Sequence, residues 1–239
     1  MPVGLVSLLV GVAAVVWYMS ASQFPPPALQ VVNTPGESRS TCKGSLSFPG
    51  RSISINEASK PAGWYFPKGT FDDGWQNQDA GVNEWYGKFL KAAGEQSLIT
   101  DHDENLEIYR FLWLRSFHHP VMIRVVRDGY FFNLVSVELS GAGGYEPGRK
   151  WATAKMTISQ DDWCAFISLL EKASFWSMES TRTDEIGNDG AQWILEGMRK
   201  GRYHLVDRWS PRNGDYREAC LFLIKLTGRD ERVAGNDLY

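Results

Sequence analysis

A chain of 239 residues, 43% of them hydrophobic, is long enough to bury one sizeable core, and a single globular domain is the default expectation. The net charge of −3, with Lys and Arg scattered rather than striped, offers no field for a phosphate backbone and argues against nucleic acid as a partner. Aromatic residues (10 Trp, 9 Tyr and 12 Phe) are spread through strand-like and helix-like segments, which points to core and rim packing before it points to a ligand box.

Residues 3–19 are an apolar or small-residue run of about 17 positions, at the lower limit for a spanning helix and slightly longer than a signal-peptide core. Either reading takes the chain to a membrane. No Lys or Arg precedes the run, so the charge-bias rule for orientation has nothing to count on that side. Met19-Ser20-Ala21-Ser22 offers small residues for cleavage, while Trp17 and Tyr18 stand where an interfacial anchor would. Residues 1–23 are therefore expected to be a transmembrane anchor, with a cleaved signal segment as the alternative. Residues 24–47, rich in Pro, Ser, Thr and Gly, read as an extended spacer. The globular domain is expected over 48–228, followed by a polar tail, 229–239.

Residues 50–81 keep the Gly, Asp and Asn content of a loop but add Trp64, Tyr65, Phe66, Phe71 and Trp75, so they are expected to pack as ordered loops. Asn83 should then cap a helix with Trp85, Phe89 and Ala92 on one face, Tyr86, Leu90 and Ala93 widening it, and Gly94 ending it. Asp101-His102-Asp103-Glu104 lacks the spacing of a calcium loop and reads as a solvated turn.

The organising stretch is 106–140. Glu107, Tyr109, Phe111, Trp113, Arg115 and Phe117 would line one face of a strand and Ile108, Arg110, Leu112, Leu114 and Ser116 the other. Two largely apolar faces make it a central strand. His118-His119-Pro120 breaks the chain; adjacent His residues on a strand end point apart, so no shared metal is expected there. Strands over 121–127 and 130–139 flank Asp128-Gly129, a hairpin signal that would place Val125 opposite Phe132, Ile123 opposite Leu134 and Arg124 opposite Asn133.

The Gly-rich loop 141–148 carries no phosphate-binding signature, since no Gly-Lys-Ser/Thr follows and 151–158 alternates like another strand. Its glycines are expected to serve turn geometry, with a binding loop as the minor reading. Ser159 is a good N-cap, with Asp162 three residues on, for a helix whose stripe is Trp163, Phe166, Ile167 and Leu170.

Two further strands, 192–198 and 202–209, are joined by Arg199-Lys200-Gly201. Read as a three-residue turn, this register places Glu196 opposite His204 and Gln192 opposite Arg208 on one face, with Ile194 and Val206 between. A carboxylate beside an imidazole raises its pKa and holds its tautomer, half of a general-base arrangement, though no nucleophile motif accompanies it. A two-residue turn would dissolve the cluster. Asp215, with Glu218 at N3, should cap a last helix with the stripe Tyr216, Ala219, Cys220, Leu223 and Ile224. Cys164 and Cys220 lie on sheet-covering helices and could meet, but three cysteines with Cys42 in the spacer are a weak disulfide framework.

WYGKFLKAAGEQSL, YRFLWLRSFHHPVMIRV, GAGGYEPG and GAQWILEGMRKGRYHLVDRWSP, in this order, resemble an uncharacterised family of bacterial proteins found behind a signal or anchor segment. The likeness covers most of 83–228. It implies an envelope setting and brings no catalytic role to any residue.

The fold expected is α+β, an antiparallel sheet of about five strands in the order β-β-β-α-β-β-α, preceded by one helix and, at the N-terminus, by the apolar helix. Two function classes stay open. One is a membrane-anchored or exported envelope domain that binds an envelope protein or a small ligand without catalysis, needing no cofactor or metal. The other is a hydrolase or transferase using Glu196 and His204 for proton transfer, with Arg208 steadying an anionic group; Arg208, Gln192, Glu196 and His204 are the candidate binding residues.

Overall fold

The computed structural model describes residues 42, 51–71, 78–100, 105–181, 187 and 189–229, all within the compact unit Ser40–Tyr239. The expected apolar helix of residues 1–23, the spacer apart from Cys42, the acidic turn 101–104 and the tail beyond Arg229 lie outside the described residues. No helix among the described residues is long and apolar enough to cross a membrane.

The strand read as central is central. β2 (Glu107–Arg115) is buried along its whole length, with Tyr109, Phe111 and Trp113 in the core on one face and Ile108, Leu112 and Leu114 in the core on the other. Apolar side chains on both faces leave such a strand no favourable place at an edge. Around it the sheet has seven strands, all antiparallel, in the order β1-β7-β6-β2-β3-β4-β5. The other strands are β1 (Ile53–Ser54), β3 (Val121–Asp128), β4 (Phe131–Leu139), β5 (Lys150–Thr157), β6 (Ala191–Arg199) and β7 (Arg202–Trp209).

The α+β class is as expected, but about five strands was too few. Both additions are edges. β1 is too short to carry a periodic signal, whereas β5 is the segment that alternates like a strand over 151–158 and that the count of about five left out; it is mostly exposed at the sheet edge.

Helices cover both faces. α2 (Gln160–Lys172) buries Trp163, Phe166, Ile167 and Leu170, and α3 (Asp215–Leu226) buries Tyr216, Ala219, Cys220, Leu223 and Ile224, the two stripes read from the sequence. With a 3-10 turn, Phe175–Ser177, they pack on the Tyr109 face. The Ser159 hydroxyl accepts from the Asp162 N–H at 3.0 Å, so the α2 cap is as read. α3 instead follows Gly214, and Asp215 is its first residue, where its carboxylate favours the helix dipole without capping.

On the opposite face lies α1 (Asp79–Ala93), which starts before the residue expected to cap it. Asn83 sits inside the helix and ties down the preceding loop, accepting from Tyr65 N at 3.0 Å and donating to the Phe66 carbonyl at 3.1 Å. Asp79 accepts likewise from the N–H groups of Gly69 at 2.6 Å and Phe71 at 3.0 Å. These bonds, with Phe66 and Phe71 in the core, make residues 64–71 the ordered, packed loop that their aromatic content implied. Gly94 ends α1 at φ 73.

In the β3–β4 hairpin the turn residues are Gly129 and Tyr130, not Asp128 and Gly129, because Asp128 pairs with Phe131. Only Gly129 needs a positive φ (58), the pattern of a type II′ turn. Val125 therefore faces Leu134 and Ile123 faces Ser136. The slip from the expected pairing is two residues, so every side chain keeps its face.

Cys42 is bonded to Cys164 of α2, with Cα atoms 5.1 Å apart and 122 positions between them in sequence. Cys220 is free and buried, so it is not the partner of Cys164.

Candidate functional site

Whether Glu196 and His204 meet depends on one turn. Lys200 (φ 49) and Gly201 (φ 67) form a two-residue loop with both residues at positive φ, the type I′ condition, and Arg199 pairs with Arg202. The three-residue turn expected from the sequence is thereby corrected. Glu196 faces Leu205, His204 faces Gly197, Gln192 faces Trp209 and Arg208 faces Trp193. A slip of one residue sends one strand's side chains to the other face, so Glu196 and His204 lie on opposite sides of the sheet.

Each is held in its own core. Glu196 receives Arg110 Nε at 2.7 Å and lies 2.6 Å from a second guanidinium nitrogen, while Tyr203 donates to its other oxygen at 2.9 Å. Arg110 also donates to the Gln96 carbonyl at 2.6 Å and approaches Glu95 at 3.4 Å; Glu95 in turn binds Arg124 at 2.9 Å. Burial pushes the Glu196 carboxyl up, and Arg110 pulls it back. Both carboxylate oxygens are occupied, which is a structural ion-pair network rather than a poised base.

His204 sits under the opposite layer, with its ring 5.2 Å from Phe175 and 6.2 Å from Trp176. Burial lowers its pKa from 6.5 to about 4, against hydrogen bonds to the Arg51 and Met178 backbone that raise it and with the Arg208 and Arg51 charges that lower it. The raised value expected beside a carboxylate is thus reversed. Because the folded pKa is depressed, the unfolded chain takes up a proton that the fold refuses. This contribution to stability is full above pH 6.5 and is lost as pH falls toward 4. Asp207, raised to about 6 by burial, has the opposite sign over part of that window. Comparison with a His204→Leu variant isolates the histidine. The variant is expected to gain about 3 kcal/mol relative to wild type between pH 6.5 and pH 4 in urea unfolding, and a pH-independent difference would show that His204 titrates normally.

Arg208 shares the face of His204, where it donates to the carbonyls of Glu179 at 2.7 Å and Ser180 at 3.2 Å and pins that loop. Gln192, one of the four expected site residues, lines a cavity. Its Nε2 donates to Asp207 Oδ1 at 2.5 Å, and Tyr86 donates to Oδ2 at 2.7 Å, so one buried carboxylate orients both side chains.

The cavity, of about 290 Å³, lies at the end of the sheet where β2, β6 and β7 meet α1. Trp85, Phe117, Tyr145 and Trp209 line it with Gln192 and Asp189. Phe117 and Tyr145, 61% and 59% exposed, form its outer lip, with ring centroids 6.2 Å apart. The Gly-rich loop builds that lip. A Cβ on Gly143 would stand 2.5 Å from the Arg115 backbone, so only glycine lets the loop lie against β2 and carry Tyr145 to the rim. Its glycines thus serve close approach, while the loop also contributes lining.

Periodicity placed Trp85 in the helix stripe, but it stands at the cavity with Lys88 Nζ 3.6 Å from its ring centroid. Phe117, Tyr145 and Trp209 come from strand ends and a loop, where no periodic signal separates a rim aromatic from a core one. His119 Nδ1 lies 2.9 Å from Glu138, which also binds Arg229 at 2.7 Å. No cluster of three or more His, Cys, Asp or Glu residues suited to a metal occurs among the described residues. No family model, curated protein or solved structure matches the chain.

Proposed function

We propose that this chain is an exported or membrane-anchored bacterial envelope domain acting as a non-enzymatic binding module, with the cavity beside Gln192 as its small-ligand site. The observation that carries the reading is the cavity itself: concave, walled by aromatic rings, with a carboxamide oriented from behind by Asp207. The hydrolase or transferase reading lacks support at the pair on which it rested, because Glu196 and His204 are separated by the sheet.

Export is supported by the Cys42–Cys164 bond, since disulfides persist in oxidising compartments, and by the apolar run 3–19. The full chain is expected in the membrane fraction of bacterial cells; recovery of the uncleaved chain as soluble protein would overturn the anchor. A screen of small molecules by ligand-observed NMR is expected to give hits that Phe117→Ala weakens about tenfold, in keeping with loss of one aromatic contact. Hits indifferent to Phe117→Ala and Tyr145→Ala would remove the cavity as the site.

A further inference from the structure

Resting on that reading, we infer that the cavity binds an organic ammonium group, a quaternary or primary amine carried on a small apolar body. The aromatic walls and the surrounding charge both favour a cation.

Phe117, Tyr145 and Trp209 line the cavity, and an ammonium is attracted to the negative face of an aromatic ring. Trp85 shows this chemistry already at work, since its ring holds the ammonium of Lys88. That lysine does not make the cavity positive. It is paired with Glu146 at 3.1 Å and donates to the Tyr145 carbonyl at 2.7 Å.

Two carboxylates, by contrast, stand at the site: Asp189 on the wall and Asp207 behind Gln192. The neighbouring guanidinium groups turn the other way, Arg115 onto the Trp113 ring at 4.1 Å and Arg208 onto the Glu179 carbonyl, both on the opposite face of the sheet. Four donors at the site that could recognise an anion are committed within the protein. Gly143 N–H bonds the His118 carbonyl at 3.0 Å, Gly144 N–H the Ser116 carbonyl at 3.1 Å, the Ser116 hydroxyl the Gly190 carbonyl at 3.0 Å, and the Tyr86 hydroxyl Asp207. An anionic ligand would meet two carboxylates, whereas a cation meets aromatic side chains and an Asp.

The test titrates choline chloride into the full chain, followed by tryptophan fluorescence and by saturation transfer to the ligand methyl groups. 3,3-Dimethyl-1-butanol, which has the same shape without the charge, is the control. Choline is expected to bind saturably and at least tenfold more tightly than the neutral analogue, and Asp189→Asn and Phe117→Ala, both at exposed positions, should each weaken it about tenfold. Equal binding of choline and the alcohol would overturn the ammonium assignment and leave a small-ligand cavity standing. Binding of neutral or anionic screening hits at Phe117, with none of choline, would do the same. If no compound responds to the Phe117 and Tyr145 variants, both the assignment and the underlying binding-site reading fall.

Discussion

Replacing Glu196 with Leu is expected to destabilise the protein by about 3–5 kcal/mol, measured by urea unfolding. Arg110 and Glu196 are 0% and 1% exposed, and removing the carboxylate strands a guanidinium with no water to solvate it. Tyr203 would lose the acceptor of its buried hydroxyl as well. Glu95 cannot replace Glu196, since it lies 3.4 Å from Arg110 and is shared with Arg124. The double variant Arg110→Met/Glu196→Leu removes both charges together and leaves Glu95 its bond to Arg124. It is expected to be markedly less destabilised than the sum of the two single variants, because an apolar pair of similar volume often substitutes for a buried ion pair at little cost. Strict additivity would show that the two charges are not coupled.

Loss of the Cys42–Cys164 bond is expected to have the largest effect. It spans 122 positions in sequence, and the chain-entropy relation puts the stabilisation from closing such a loop at about 5 kcal/mol. Cys42→Ser should therefore lower the melting temperature sharply, and reductant should lower that of wild type while leaving the variant unchanged. In the wild type the one thiol outside the bond does not confuse this test. Cys220 is fully buried and its pKa is pushed well up by burial, which keeps it from reacting as a thiolate. Mass spectrometry showing three free thiols in protein purified from an oxidising compartment would remove the bond from the fold.

The sequence by itself determined those features that rest on neighbours along the chain. The two faces of β2, the buried stripes of α2 and α3 and the Ser159 cap were legible because strand and helix periods and a cap three residues from its target are local properties. The α+β class followed from the same pattern, as did the chain order of β2, β3, β4, α2, β6, β7 and α3, while β5 stands between β4 and α2 where the expected order had no strand. Tertiary structure alone decided what depends on register and on distant segments. Both hairpin turns hold the glycine that was expected, but whether the loop begins before or at that glycine cannot be told from composition. A two-residue slip at Gly129 left the faces unchanged, and a one-residue slip at Lys200-Gly201 separated Glu196 from His204.

Disulfide connectivity was equally beyond local reading, since it joined a cysteine assigned to a spacer with one on a helix far along the chain. The cavity is the extreme case. Trp85, Phe117, Tyr145 and Trp209 come from a helix, a strand end, a loop and another strand end, and only the packing of those elements around Gly143 brings their rings to one site.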